Sequence, residues 1–265
     1  MHWYEKLKGW LRFQAGTLFY YRYIISSLDY SFRRDGLERA FGKPPTKFET
    51  FSSPGKLVEA ETHPRGMRLG FERAELDVCF LAPDLVRLDW KPGLAPVPYA
   101  IAKDDWEAVA VTCTEERGRW RVASTAMAVG VGFDGAVTLY DERGSVLREE
   151  LPPEKMREGW THRVRLRPEE HLYGLGERAT PFNLRTSSGK NFRMWNFDMA
   201  GRYGPDADPL YICIPITLSL HDGGCTLAFY ENSFAATFHF DADLATAAFE
   251  GGPLRYYLSA GTPAS

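Results

Sequence analysis

The sequence predicts an all-β fold, a large antiparallel β-sandwich preceded by an N-terminal helical segment. Three observations point there. From about Lys56 onward, apolar residues alternate with polar or small ones in short runs, which is the period of a half-buried strand. Pro-Asp, Asp-Gly and Arg-Gly turn signals separate those runs. The first 42 residues instead place apolar side chains at three- and four-residue steps, the spacing of a helix. Residues 1–50 are therefore read as a helical segment and residues 51–265 as the sandwich domain.

Taken in order, Trp3, Leu7, Trp10, Leu11, Leu18, Tyr21, Ile25 and Leu28 define the helical stretch. Gly9 and Gly16 are expected to break it, because glycine costs about 1 kcal/mol in a helix interior. A stop is expected at Gly42, with Pro44-Pro45 beyond. This face is unusually aromatic. It can dock on the β-domain, or residues 1–42 can contact a partner or a membrane surface.

Strands then follow at Met67–Phe71, Val86–Trp90, Met127–Phe133 and Val137–Leu139. Phe133-Asp134-Gly135-Ala136 has the form of a two-residue hairpin of the primed type. Further strands fit Trp160–Leu166, Leu210–Leu220, Cys225–Tyr230, Ala235–Phe240 and Leu254–Leu258. Many short strands at near-regular spacing imply a sandwich. The glycines at 130, 132 and 135 spell G-x-G-x-x-G, but a strand rather than a helix is expected after them. A dinucleotide site needs the helix.

Composition narrows the function classes. Hydrophobic content of 44% and aromatic content of 14% are ample for a sizeable core. A net charge of -3 without a basic stripe argues against a nucleic-acid partner. Cys79, Cys113, Cys213 and Cys225 form no C-x-x-C pair and sit in apolar, strand-like runs. They read as buried free thiols in a reducing compartment, the cytoplasm. No histidine cluster or H-E-x-x-H motif offers a metal site, and no cofactor is implied. The apolar run Leu18–Ile25 carries Arg22 and is far short of the ~20 residues that a membrane span needs.

The segment His171–Pro215 departs from both periods. Tyr173-Gly174-Leu175-Gly176-Glu177 is a turn built on two glycines. Beyond it, Phe192, Trp195, Phe197, Tyr203 and Tyr211 interleave with Arg193, Asn196, Asp198, Arg202, Asp206 and Asp208. Aromatic faces and planar polar groups in one loop suit a sugar pocket. They equally suit a buried connection in which Asp and Asn cap the backbone.

This order of motifs (Tyr-Gly-Leu-Gly-Glu, then Met-Trp-Asn-Phe-Asp, then Asp-Pro-Leu-Tyr) resembles the N-terminal β-domain of glycoside hydrolase family 31, the α-glucosidase family. The resemblance covers Lys56–Pro263 in outline and is specific over His171–Pro215. It implies a galactose mutarotase-like sandwich packed beside a (β/α)8 barrel that performs retaining hydrolysis with two Asp residues. Both carboxylates belong to the barrel, which would begin near Ser265. The resemblance therefore assigns no catalytic residue to this chain and leaves it inactive by itself. It does imply one substrate contact. The Asp of the Asn196-Phe197-Asp198 step, Asp198, hydrogen-bonds an α-glucoside-type sugar, while Asn196 and Trp195 shape the loop and Glu177 fixes the turn. A loop-capping Asp198 is the plainer alternative. A self-standing carbohydrate-binding or aldose-epimerase-like sandwich also remains open. An epimerase needs an acid and a base near the sugar ring, and His162, His171, His221 and His239 show no local constellation with a glutamate.

Overall fold

A computed structural model describes residues 2–41, 50–93, 100–103, 105–187, 189–198, 200–201 and 203–261. Gly42, Pro44-Pro45, Arg202 and Pro263, each used in the sequence reading, lie outside the described residues. The chain divides into two compact units, 1–46 and 47–265.

Among its described residues the first unit is one helix, α1 (His2–Phe41). Gly9 and Gly16 do not interrupt it, contrary to the expectation. Glycine in a helix lowers stability but removes no hydrogen bond and creates no clash, unlike proline.

The second unit opens with β1 (Leu57–His63), β2 (Gly66–Phe71), β3 (Glu75–Ala82), β4 (Leu85–Lys91), β5 (Thr112–Glu116) and β6 (Arg119–Ala123). It continues through β7 (Met127–Gly132), β8 (Val137–Asp141), β9 (Val146–Glu150), β10 (Glu154–Met156), β11 (Gly159–Arg165) and β12 (His171–Gly176). It closes with β13 (Asn191–Met194), β14 (Cys213–His221), β15 (Gly224–Tyr230), β16 (Ala236–Phe240), β17 (Leu244–Phe249) and β18 (Leu254–Gly261). One sheet runs β1-β2-β3-β4-β18-β15-β14-β12. The other runs β13-β16-β17-β11-β9-β8-β7-β6-β5, with β10 beside β11. The strand pairings in both sheets are antiparallel, so the all-β sandwich expected from the alternation is the observed fold.

The alternation works as strand geometry requires. Met67, Leu69 and Phe71 of β2, and Val86, Leu88 and Trp90 of β4, all face the core. Trp90, Trp160, Tyr256, Phe80 and Phe192 are among its largest sealed side chains. Each such burial contributes about 1.5–3 kcal/mol. Ring contacts knit them, with Phe51 edge-on to Trp160 at 5.7 Å and Phe71 tilted against Trp90 at 5.6 Å.

The turn after β7 differs from the primed hairpin expected. Val131 faces Val137, and the Gly135 N–H donates to the Gly132 carbonyl. In this turn only Gly135 has positive φ (+90°). A glycine at the left-handed position of a longer loop is the next most common hairpin connection. The strand β8 comes directly after it, so the glycine motif at 130–135 has no helix to hold a phosphate. All four cysteines are free; Cys79 is buried, whereas Cys113, Cys213 and Cys225 are half-buried. Among the described residues no helix is long and apolar enough to cross a membrane, and no cluster could hold a metal ion.

Candidate functional site

The four outer strands of the two sheets are treated differently by the sequence. At one end, β1 exposes Glu59 and Glu61 and β5 exposes Glu115 and Glu116, the charged edges that discourage strand addition. At the other, the outer strands are β12 and β13, and β13 lies against β14 across the sheets. Both strands belong to the aperiodic segment singled out in the sequence, which begins with β12 and runs on past β13 into β14.

Its first part is a bulge. The β12–β14 register slips between Gly174 and Gly176. Leu175 sits between them, buried, at φ +64°. A Cβ on Gly174 would stand 2.2 Å from the Ile216 carbonyl oxygen, and one on Gly176 2.3 Å from that of Ile212. Both glycines also have positive φ, so no side chain fits at either.

Arg178 anchors the chain as it leaves the bulge. Its guanidinium is buried in an ion pair with the equally buried Asp208 carboxylate. It also donates to the carbonyls of Leu175 and Arg193, both at 3.2 Å, and lies over the Phe192 ring at 5.6 Å. The other Asp208 oxygen accepts the Arg193 N–H at 3.1 Å. One salt bridge thus joins the bulge, strand β13 and the return of the loop. Sequence reasoning assigns the turn to Glu177, whose backbone N–H does bond the Ile212 carbonyl at 2.8 Å, but whose side chain is exposed. It misses Arg178. The available signal is an arginine two residues after Gly-Leu-Gly and an aspartate within the loop's closing Asp-Pro step.

Between the clamped ends, Asn196 Oδ1 accepts the Cys213 N–H at 2.8 Å, and the Phe197 N–H donates to the Leu210 carbonyl at 2.9 Å. Asn196 shapes the loop, as expected. Asp198 is exposed at the next turn. One of its oxygens accepts the Ala200 N–H at 2.6 Å. Its other oxygen has no hydrogen bond among the described residues. The structure therefore gives Asp198 a loop-capping contact with one acceptor left over. A cavity of about 210 Å³ opens beside the loop, lined by Trp195, Asn196, Cys213, Asn232 and Phe234. Trp195 is 51% exposed, and Phe197, Ile212, Ile214 and Phe234 are exposed as well.

The histidines fall elsewhere. His162 does meet a glutamate, Glu150, with Nε2 at 3.2 Å, although the two lie on different strands. Both side chains are 1% exposed, sealed in the core with Arg148, Tyr230 and Tyr256. No sugar reaches that pair. His171 bonds Asn183, His221 faces Arg167, and His239 bonds Asp241. Among the described residues no accessible His–Glu pair of the kind an aldose epimerase needs is present.

The glycosyl hydrolase 31 N-terminal galactose mutarotase-like domain model matches residues 75–239, more than half of the chain. Over 94 residues the chain is 33% identical to α-glucosidase 2 of Bacillus thermoamyloliquefaciens, covering 35% of this chain and 12% of that protein. Over 69 residues it is 38% identical to an α-glucosidase of Saccharolobus solfataricus, covering 26% and 9%. The chain thus spans only a small part of these relatives. A family 31 dextranase of Flavobacterium johnsoniae shares the fold with a TM-score of 0.66 at 19% identity, over 80% of this chain and 27% of that one. A glucosidase II α subunit does so with a TM-score of 0.65 at 14% identity, over 86% and 34%.

Proposed function

We infer the function from one premise: the chain belongs to the family of glycosyl hydrolase 31 N-terminal galactose mutarotase-like domains. It acts as the N-terminal module of an α-glucosidase-like glycoside hydrolase. It forms one wall of the sugar pocket beside a (β/α)8 barrel that carries the two catalytic carboxylates. The chain itself supplies no acid, base or nucleophile to the reaction.

One observation carries this reading. The exposed apolar residues Trp195, Phe197, Ile212, Ile214 and Phe234 cluster at the loop that is clamped from beneath by a buried ion pair. Exposed apolar patches rimmed by polar groups mark interfaces, and a rigid loop on an interface can present a carboxylate at a fixed place. Asp198 is that carboxylate, with its second oxygen accepting a hydroxyl of the bound sugar. Four unpaired cysteines support a reducing compartment, the cytoplasm.

The test is hydrolysis of an α-glucoside by the protein that contains this chain together with its barrel. Asp198→Ala is expected to lower kcat/KM roughly 10- to 100-fold, the worth of one or two hydrogen bonds to a charged group. Asp198→Asn keeps the loop cap and is expected to fall between wild type and Asp198→Ala. An unchanged kcat/KM in Asp198→Ala would remove Asp198 from the pocket.

A further inference from the structure

Helix α1 carries a repeat that the sandwich function does not use. Tyr4, Leu11, Leu18, Ile25 and Phe32 recur every seven residues, all apolar. Three residues after each of them stand Leu7, Gln14, Tyr21, Leu28 and Asp35 in turn. In heptad terms the first set fills every a position for five heptads, and the d positions are apolar in three of the first four. The g positions from Trp3 to Ser31 are uncharged and add Trp10 and Ile24. Of these seam residues Tyr4, Leu7, Leu11, Ile25, Leu28 and Phe32 are exposed along an unbroken helix of 40 residues, about 60 Å long.

The period selects the occupant. A straight helix drifts by ~20° per heptad against a seven-residue repeat. Over five heptads the seam would rotate by roughly 100° away from a flat surface such as a bilayer. It stays on one line only when the helix winds around another helix of the same repeat. A second copy of α1 is a partner that has that repeat by construction. With no charge at g from position 3 to 31, no like charges meet across g and e. Eight apolar side chains per helix, at about 100 Å² each, remove on the order of 1,600 Å² from water, the area of a stable interface. Off the seam, apart from Phe13, Phe19 and the terminal Phe41, the aromatics of the central and later turns are Tyr20, Tyr23 and Tyr30, whose hydroxyls tolerate water.

We propose that α1 is a self-association element, pairing with α1 of a second copy of this chain as a two-stranded coiled coil through the Tyr4–Phe32 seam. This is independent of the sugar-pocket reading.

Light-scattering mass of the full 265-residue chain at micromolar concentration tests it. Wild type is expected at twice the monomer mass. Leu11→Glu with Ile25→Glu, on the seam, is expected to give the monomer with its sheet circular dichroism intact. Tyr23→Glu with Tyr30→Glu adds the same charge on the outer face and is expected to stay dimeric. Ile214→Ser with Phe234→Ser removes the apolar patch of the sandwich and is also expected to stay dimeric. A monomeric wild type overturns the proposal, and so does a dimer that survives the seam substitutions or is lost with the patch. A monomer that instead binds phosphatidylglycerol vesicles assigns the helix to a membrane surface and equally overturns it.

Discussion

Arg178→Ala is expected to destabilise the sandwich domain by about 3–5 kcal/mol, the cost of leaving a buried charge without its partner. Asp208 would stay buried with no cation beside it, and the carbonyls of Leu175 and Arg193 would each lose one hydrogen bond. That loss is a large share of the roughly 5–15 kcal/mol by which a domain is stable. The damage should be centred on the loop. The Phe197 amide, bonded to the Leu210 carbonyl, is expected to exchange with solvent faster than amides of β4 or β18. Urea unfolding with hydrogen exchange checks both parts. Arg178→Lys is expected to recover little, because a single ammonium cannot reach the acceptors that the guanidinium fork spans. A loss below about 1 kcal/mol would show that the clamp does not hold the loop.

Glu150→Ala is expected to cost a similar amount, about 3–5 kcal/mol, for a different reason. The Glu150 carboxylate sits between Arg148 Nε at 2.6 Å and His162 Nε2 at 3.2 Å, and accepts the Tyr256 hydroxyl. Its removal strands the Arg148 guanidinium in the core. The same group makes stability depend on pH. Burial raises its pKa, but His162 and Arg148, together with hydrogen bonds from His162 and Tyr256, outweigh that and hold it at about 2 against an ordinary 4.5. A depressed carboxyl favours the folded state above its unfolded value, and that contribution fades as pH falls from 4.5 towards 2. Between about pH 6 and pH 3 the chain should lose on the order of 2 kcal/mol through this group. Urea midpoints across that range, in wild type and Glu150→Gln, measure it. A wild-type slope no steeper than that of Glu150→Gln would contradict the assignment.

The sandwich is readable in the sequence because its central strands put large apolar residues on one face, as β2 and β4 do. Strands that break this rule escape it. β17, Leu-Ala-Thr-Ala-Ala-Phe, packs small residues with little strand preference. β9 hides Arg148 and Glu150, whose burial is settled by His162 on another strand. The continuity of α1 is hidden by glycines that weaken a helix without ending it. The site segment is visible as a departure from both periods, yet its clamp is not. Arg178 and Asp208 lie 30 positions apart in the chain, and only the fold brings them together. Asp198 comes from resemblance, and its second oxygen, left over from the loop cap, is the feature that the structure adds.

That this sandwich works beside an α-glucosidase-type barrel is tested most directly by capturing the native chain from its source cells. An antibody against residues 51–265 is used, and α-glucoside hydrolysis is measured in the precipitate. Activity is expected to come down with the chain, whether the barrel lies in the same polypeptide or a second one, and none is expected from the purified 265-residue chain. A precipitate that contains the chain and hydrolyses no α-glucoside would contradict it.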